Sequence, residues 1–252
     1  MLRLASFLLV VGLSIGLLSG CNGNENTGLK IAVAANFVIP AETLIDQFES
    51  ATGINATLIS GSTGKLYAQI ENGAPFDILL AADVQRPRLL AESGLGMAES
   101  RFTYALGELV LWSPNEEFVD ETGNVLSIGD FEHLAIANPE LAPYGRASQE
   151  VLQRLGLWEE LQPRLVRGEN IAQTFQFVNN GAAELGFIAH SQLPNSGSRW
   201  LVPADLYSPI EQQAIIIAST TRREDAERFM AFLAGDEARE VITNAGYRVP
   251  NR

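Results

Sequence analysis

The residues that carry most enzyme chemistry are nearly missing from this sequence. Its 252 residues include two histidines and one cysteine. His133 and His190 lie far apart, and neither stands at metal-ligand spacing from another histidine or from Cys21. A bare metal cation is therefore not expected as a ligand. A lone cysteine cannot close an internal disulfide. There is no Gly-x-Ser-x-Gly nucleophile turn. Gly61-Ser62-Thr63-Gly64-Lys65 has the look of a phosphate loop but not its G-x-x-x-x-G-K-[ST] spacing. Asp77 and Asp83 flank one predicted strand and read as structural rather than as a catalytic pair. With no nucleophile–base pair and no metal cluster, a binding protein without a cofactor is expected in place of an enzyme.

Positive charge is also scarce. Seventeen Lys and Arg face thirty Asp and Glu, for a net charge of −13. Nucleic acid is excluded as a partner, because phosphate backbones are held by basic surfaces. Outside the N-terminus no run of apolar residues approaches the eighteen or more that a membrane span requires, so no internal transmembrane helix is expected. The hydrophobic fraction of 46% is ample for a core in one large or two small domains.

The apolar run that does exist is at the start. Arg3 precedes Phe7–Leu18, and Leu18-Ser19-Gly20-Cys21 follows. A basic start, a short apolar stretch and small residues before a cut describe a secretory signal. Leu-Ser-Gly-Cys resembles the bacterial lipoprotein signal, in which the cysteine becomes the lipidated first residue. The expectation is a leader over 1–20, lipidation at Cys21 and a polar tether over 21–28. Removing Arg3 takes the charge from −13 to −14. That charge and an anionic ligand are compatible, because the net field is screened over about 8 Å at physiological salt while an ion feels the donors that touch it.

From Lys30 onward, short β-type runs alternate with helical stretches. Strands are expected at Lys30–Ala34, Asn55–Ser60 and Phe76–Ala81, and helices at Pro40–Ser50, Thr63–Asn72 and Val84–Ser93. Such repetition predicts an α/β fold with parallel strands. Arg101–Ser113 breaks the pattern and reads as one long strand leaving a first lobe for a second. The scheme then repeats, with strands at Leu134–Ala137, Leu165–Arg167, Leu185–Ala189 and Trp200–Pro203. Gln212–Ala218 reads as the return strand, followed by two closing helices. The expected fold is two-lobed α/β, each lobe a mixed sheet flanked by helices. Lobe one spans 29–105 plus 214–252, and lobe two spans 106–213. Ligands of such folds sit at the carboxyl ends of strands and between lobes.

Four strand-to-helix junctions have unusual composition: Ala34-Ala35-Asn36, Gly61-Ser62-Thr63-Gly64, Pro143-Tyr144-Gly145 and Glu169-Asn170-Ile171-Ala172. Free N–H groups at helix starts, backed by the helix dipole, bind anions. Each junction also admits a plain reading. Asn36, Ser62, Thr63 and Asn170 are residue types that cap helices, and Pro143-Tyr144-Gly145 is a plausible turn.

At these same residues the chain resembles the molybdate-binding proteins of molybdate uptake transporters, which have the type II periplasmic binding fold. The matching stretches are VAANF (33–37), SGSTGKLYAQIENGAPFDILLAAD (60–83), RFTYALGELVLWS (101–113), IANPELAPYG (136–145), AAELGFIA (182–189) and AGYRVP (245–250). The resemblance implies a monomeric, extracytoplasmic receptor for molybdate or tungstate that hands its cargo to the permease of an ABC transporter. It implies an oxyanion held by neutral donors: the Ala35 N–H, Asn36 and Thr63 from one lobe, and the Tyr144 and Ile171 N–H groups from the other. Ser62, beside Thr63, joins them as a further ligand. One branch of the family uses a tyrosine hydroxyl from the strand matching Leu185–Ala189. Ala189 stands there in this chain, and Asn36 is expected to compensate, as in a second branch. The chemistry is consistent. A tetrahedral dianion only accepts hydrogen bonds, so a pocket of donors satisfies it and leaves the O–H of protonated phosphate facing no acceptor.

Overall fold

The computed structural model describes residues 28–250. The expected leader, Cys21 and all but the last residue of the expected tether lie outside the described residues.

Two five-stranded sheets organise the chain. Strands β1 (Leu29–Ala34), β2 (Ala56–Gly61), β3 (Ile78–Leu80), β4 (Phe102–Gly107) and β10 (Ile210–Ile216) form the first, in the order β2-β1-β3-β10-β4. Strands β5 (Leu109–Ser113), β6 (Leu134–Ala137), β7 (Leu165–Gly168), β8 (Leu185–Ala189) and β9 (Ser198–Leu201) form the second, in the order β7-β6-β8-β5-β9. The two sheets share a plan. In the first, β1 pairs in parallel with β2 and β3, and β10 runs antiparallel to both β3 and β4. In the second, β6 pairs in parallel with β7 and β8, and β5 runs antiparallel to both β8 and β9. The one reversed strand in each sheet is the one that begins just after the chain arrives from the other.

Helices cover the sheets: α1 (Val38–Thr52), α2 (Thr63–Glu71), α3 (Gln85–Glu92), α4 (Val125–Ile128), α5 (Pro143–Arg154), α6 (Trp158–Leu161), α7 (Ile171–Asn179), α8 (Arg223–Leu233) and α9 (Asp236–Asn244). Their spacing of apolar residues explains their seats. Helix α1 buries Ala41, Leu44, Ile45 and Phe48, the i, i+3, i+4, i+7 stripe of an amphipathic helix, and ends at Gly53 in the left-handed conformation. Phe48 meets Phe229 of α8 edge to face at 5.2 Å. The inner parallel strands β1, β3 and β6 are buried almost throughout, which is why they read as apolar runs.

The expected α/β, two-lobed architecture is the observed one. Two expectations change in detail. Arg101–Ser113 is two strands, because Glu108 interrupts the ladder between β4 and β5 and the chain changes sheets there. The return strand begins at Ile210 rather than Gln212 and already pairs with Gly107 of the first sheet. A bulge between Gln212 and Gln213 shifts its register against β4.

Candidate functional site

In both sheets the strand order turns back on the central parallel strand, β1 in the first and β6 in the second. A crevice opens at the carboxyl ends of strands at such a switch point. Ala35 and Asn36 follow β1, Ser62 and Thr63 follow β2, Tyr144 lies beyond β6 at the start of α5, and Ile171 follows β7 at the start of α7. All six line one cavity between the lobes, together with Ala34, Gly61, Ala82, Ala142, Pro143 and Asn170. Asn36, Ser62, Thr63, Tyr144 and Ile171 are each buried. The space open to the centre of a water molecule is about 10 Å³, which suits one compact ion and not a sugar or an amino acid. Among the described residues no charged side chain lines it.

The hydrogen bonds show, junction by junction, which side chains cap their helices. Asn170 is a true cap: its side chain accepts the N–H of Gln173 at 3.0 Å. Ser62 precedes α2 but makes no capping bond, and its hydroxyl is buried without a partner among the described residues. A buried hydroxyl without a partner costs about 1–3 kcal/mol unless something else meets it. Thr63 does not cap either. Its hydroxyl oxygen accepts the N–H of Ala82 at 3.0 Å, which leaves its own hydrogen free to donate. Pro143 occupies the first turn of α5, where its missing N–H costs nothing. Tyr144 is thus a helix-start residue, not part of a plain turn. No side-chain cap engages the N–H groups at the start of the Ala35–Phe37 turn, of α2 or of α5, and the cap of α7 takes that of Gln173.

The Asn36 side chain is committed within the protein. Its amide nitrogen donates to Gln212 Oε1 at 2.8 Å and to Tyr247 Oη at 2.9 Å, so both amide hydrogens are engaged behind the cavity wall. What Asn36 has left to offer a ligand is its main-chain N–H. The turn that carries it is seated by Phe37, whose ring meets Tyr104 at 4.7 Å and Tyr247 at 5.4 Å, both edge to face. Ala189 is buried at the end of β8, and its N–H donates to Gln192 Oε1 at 3.3 Å. Sequence reading missed Gln212, Tyr247 and Ser191, the polar residues behind the wall. Tyr247 lies inside a matching stretch, AGYRVP, but spacing assigns it no role.

The lobes touch around the cavity. The Gly64 N–H donates to the Leu141 carbonyl at 2.8 Å. A Cβ on Gly64 would come within 2.9 Å of the same oxygen, so glycine permits this approach. Arg86, paired with Asp83 at 2.5 Å, donates to the Glu140 carbonyl at 3.0 Å, and Lys65 pairs with Glu169 across the rim at 2.5 Å. The nearby cations are therefore tied to protein acceptors. Burial holds the Tyr104 and Tyr144 phenols well above their ordinary pKa and pushes that of Tyr247 up to about 12; these hydroxyls keep their protons throughout the physiological range.

A two-lobed shell closed on a small, uncharged cavity of donors defines a solute-binding protein. Known proteins agree. The family model described as bacterial extracellular solute-binding protein matches residues 29–248, and the chain belongs to that family. It is similar to the molybdate-binding protein ModA of Azotobacter vinelandii, 47% identical over 244 residues that cover 95% of this chain and 96% of that protein. It is also similar to the molybdate-binding protein ModA of Rhodobacter capsulatus, 45% identical over 218 residues and 86% of each chain. The solved structure of the Azotobacter vinelandii periplasmic molybdate-binding protein superposes with a TM-score of 0.87 at 43% identity, over 88% of this chain and 100% of that one. The fold is that of the periplasmic binding proteins, and the chain is a binding protein rather than an enzyme.

Proposed function

We propose that this chain captures molybdate or tungstate outside the cytoplasm and delivers it to the permease of an ABC transporter. The observation that carries this reading is the meeting of four donor-rich junctions, two from each lobe, on one small cavity that no charged side chain lines. Each helix start presents roughly half a positive charge, so several together offset much of a dianion without Lys or Arg. The donors assigned to the oxyanion are the N–H groups of Ala35, Asn36, Tyr144 and Ile171 and the hydroxyls of Ser62 and Thr63. The names of the similar proteins point to the same ligand. A donor-only pocket disfavours protonated phosphate, and a rigid pocket fitted to molybdate leaves every bond to the smaller sulfate too long.

In this reading the lobes comprise 29–107 with 210–250, and 108–209, and the hinge lies at Glu108 and just before Ile210. The receptor works as a monomer, tethered by a lipid on Cys21 after removal of residues 1–20. Thermal unfolding with added oxyanions tests the ligand: a ligand at a hundred times its Kd adds about 2.7 kcal/mol. Molybdate and tungstate are expected to raise the midpoint, and sulfate and phosphate to leave it in place. A rise with sulfate alone overturns the specificity, and no rise with any of the four overturns the receptor. Mass spectrometry of membrane-extracted protein tests the anchor; a bare thiol at Cys21 refutes it.

A further inference from the structure

Behind the cavity the buried polar groups form one connected chain that joins the lobes. The Tyr247 hydroxyl is 2.7 Å from the Asn36 carbonyl and 2.9 Å from Ser191 Oγ. The Ser191 hydroxyl is itself 3.2 Å from the same carbonyl. Asn36 returns its amide to Tyr247 and to Gln212, and Gln212 Oε1 also accepts from Tyr104 at 3.2 Å. Asn36, Tyr104, Gln212 and Tyr247 belong to the first lobe. Ser191 follows β8 of the second. Both ends of Asn36 are thus gripped, its carbonyl by two hydroxyls and its amide by a hydroxyl and an amide. The turn held this way, Ala35–Phe37, carries the N–H groups of Ala35 and Asn36 at the cavity wall.

We infer that Tyr247 and Ser191 are positioning residues for ligand capture: they fix the Asn36 turn from behind, and Ser191 does so from the opposite lobe, so its bonds form when the lobes close. The inference rests on the proposed oxyanion site. It adds that affinity depends on two hydroxyls that never touch the ion. Opening must break the Ser191 bonds before the turn relaxes, so their effect falls on dissociation. Neutral hydrogen bonds of this kind are each worth roughly a two- to tenfold change in an equilibrium constant.

The test is stopped-flow binding of molybdate to the purified mature protein and to Ser191→Ala, Ser191→Thr, Tyr247→Phe and the Ser191→Ala/Tyr247→Phe double variant. Ser191→Ala is expected to speed dissociation about fivefold with little change in association. It is also expected to leave the unfolding midpoint of the ligand-free protein unchanged. Ser191→Thr, which keeps the hydroxyl, is expected to restore slow dissociation. Tyr247→Phe keeps the ring against Phe37 and is expected to weaken binding similarly. The double variant should be weaker than either alone by less than the product of the two effects, because both act on one carbonyl. Wild-type dissociation in Ser191→Ala overturns the inference, and so does equal weakening by Ser191→Thr. If Tyr247→Phe does not fold, the two Ser191 variants decide alone. Failure of the unmodified protein to bind molybdate overturns the proposed function instead.

Discussion

Ser62 and Thr63 are neighbours with different obligations. The Ser62 hydroxyl is buried with no partner among the described residues, while the Thr63 oxygen accepts the Ala82 N–H. Their substitutions should therefore separate binding from stability. Ser62→Ala removes a group that the fold does not use. Its ligand-free unfolding midpoint is expected to stay put while molybdate Kd rises by about tenfold or more, since hydrogen bonds to charged groups are worth about 1.5–3 kcal/mol. Thr63→Val keeps the volume but orphans the Ala82 N–H. It is expected to weaken binding and also to lower stability by about 1–3 kcal/mol. Calorimetric titration and chemical denaturation of both variants check the pair. The candidate residues themselves were legible, because Ser-Thr-Gly and Pro-Tyr-Gly at strand-to-helix junctions are uncommon enough to stand out. Side-chain direction was not legible. The Asn36 amide points at Gln212 and Tyr247. Nothing within the stretch VAANF specifies that choice, since both partners arrive from about 180 or more residues away.

At the scale of elements, the proposed site is made of helix starts, and each start is built differently. Asn170 caps α7 with its own side chain, Pro143 opens α5, and α2 leaves its first turn uncapped toward the cavity. Asn170→Ala is accordingly expected to cost about 1 kcal/mol of stability, measured by denaturation, while the ligand's donors stay in place. Gly64, in the first turn of α2, should behave in the opposite way. Alanine favours a helix, so Gly64→Ala is expected to hold or raise the stability of the ligand-free protein by up to about 1 kcal/mol. The added Cβ would meet the Leu141 carbonyl at 2.9 Å, so the same variant is expected to bind molybdate more weakly, because the lobes cannot approach as closely. Most strands were readable from the sequence because parallel strands buried on both faces leave continuous apolar runs. The break at Glu108 was not. Residues 101–113 have uniformly β-type composition, and only the pairing of Gly107 with Ile210 and of Leu109 with Ala189 divides them between two sheets.

The whole molecule carries far more negative than positive charge, yet it is proposed to take up a dianion. Long-range repulsion should therefore slow encounter without changing the fit. Raising ionic strength shortens the screening length, from about 10 Å at 0.1 M to about 3 Å at 1 M. The association rate for molybdate is expected to rise with salt, with the dissociation rate nearly constant; stopped-flow binding across a salt series checks this. The buried tyrosines set a second global property. Burial raises the Tyr104, Tyr144 and Tyr247 phenols, the last to about 12, while in the unfolded chain they lose their protons near 10. Between those values the folded state binds more protons than the unfolded one, so stability must fall as pH rises through that window. Below about pH 10 both states keep these protons, and the tyrosines add no pH dependence. Denaturation at pH 8 and pH 11 is expected to show the loss at the higher pH.

The sequence by itself determined what local and periodic signals can carry: an α/β alternation, two lobes joined by crossing segments, an uncharged donor-rich set of junctions, and the absence of the groups an enzyme would need. Those properties follow from residue type and near-neighbour spacing, which act within a few turns of chain. Tertiary structure alone decided which junctions meet and which hydrogen atoms remain free when they do. Ser62 is a free donor because its buried hydroxyl meets no partner among the described residues, Thr63 because Ala82 comes to its oxygen, and Asn36 is committed because Gln212 and Tyr247 reach it. A hydrogen bond is satisfied only at a specific distance and angle, and for partners this far apart in the chain the fold is the sole source of that geometry.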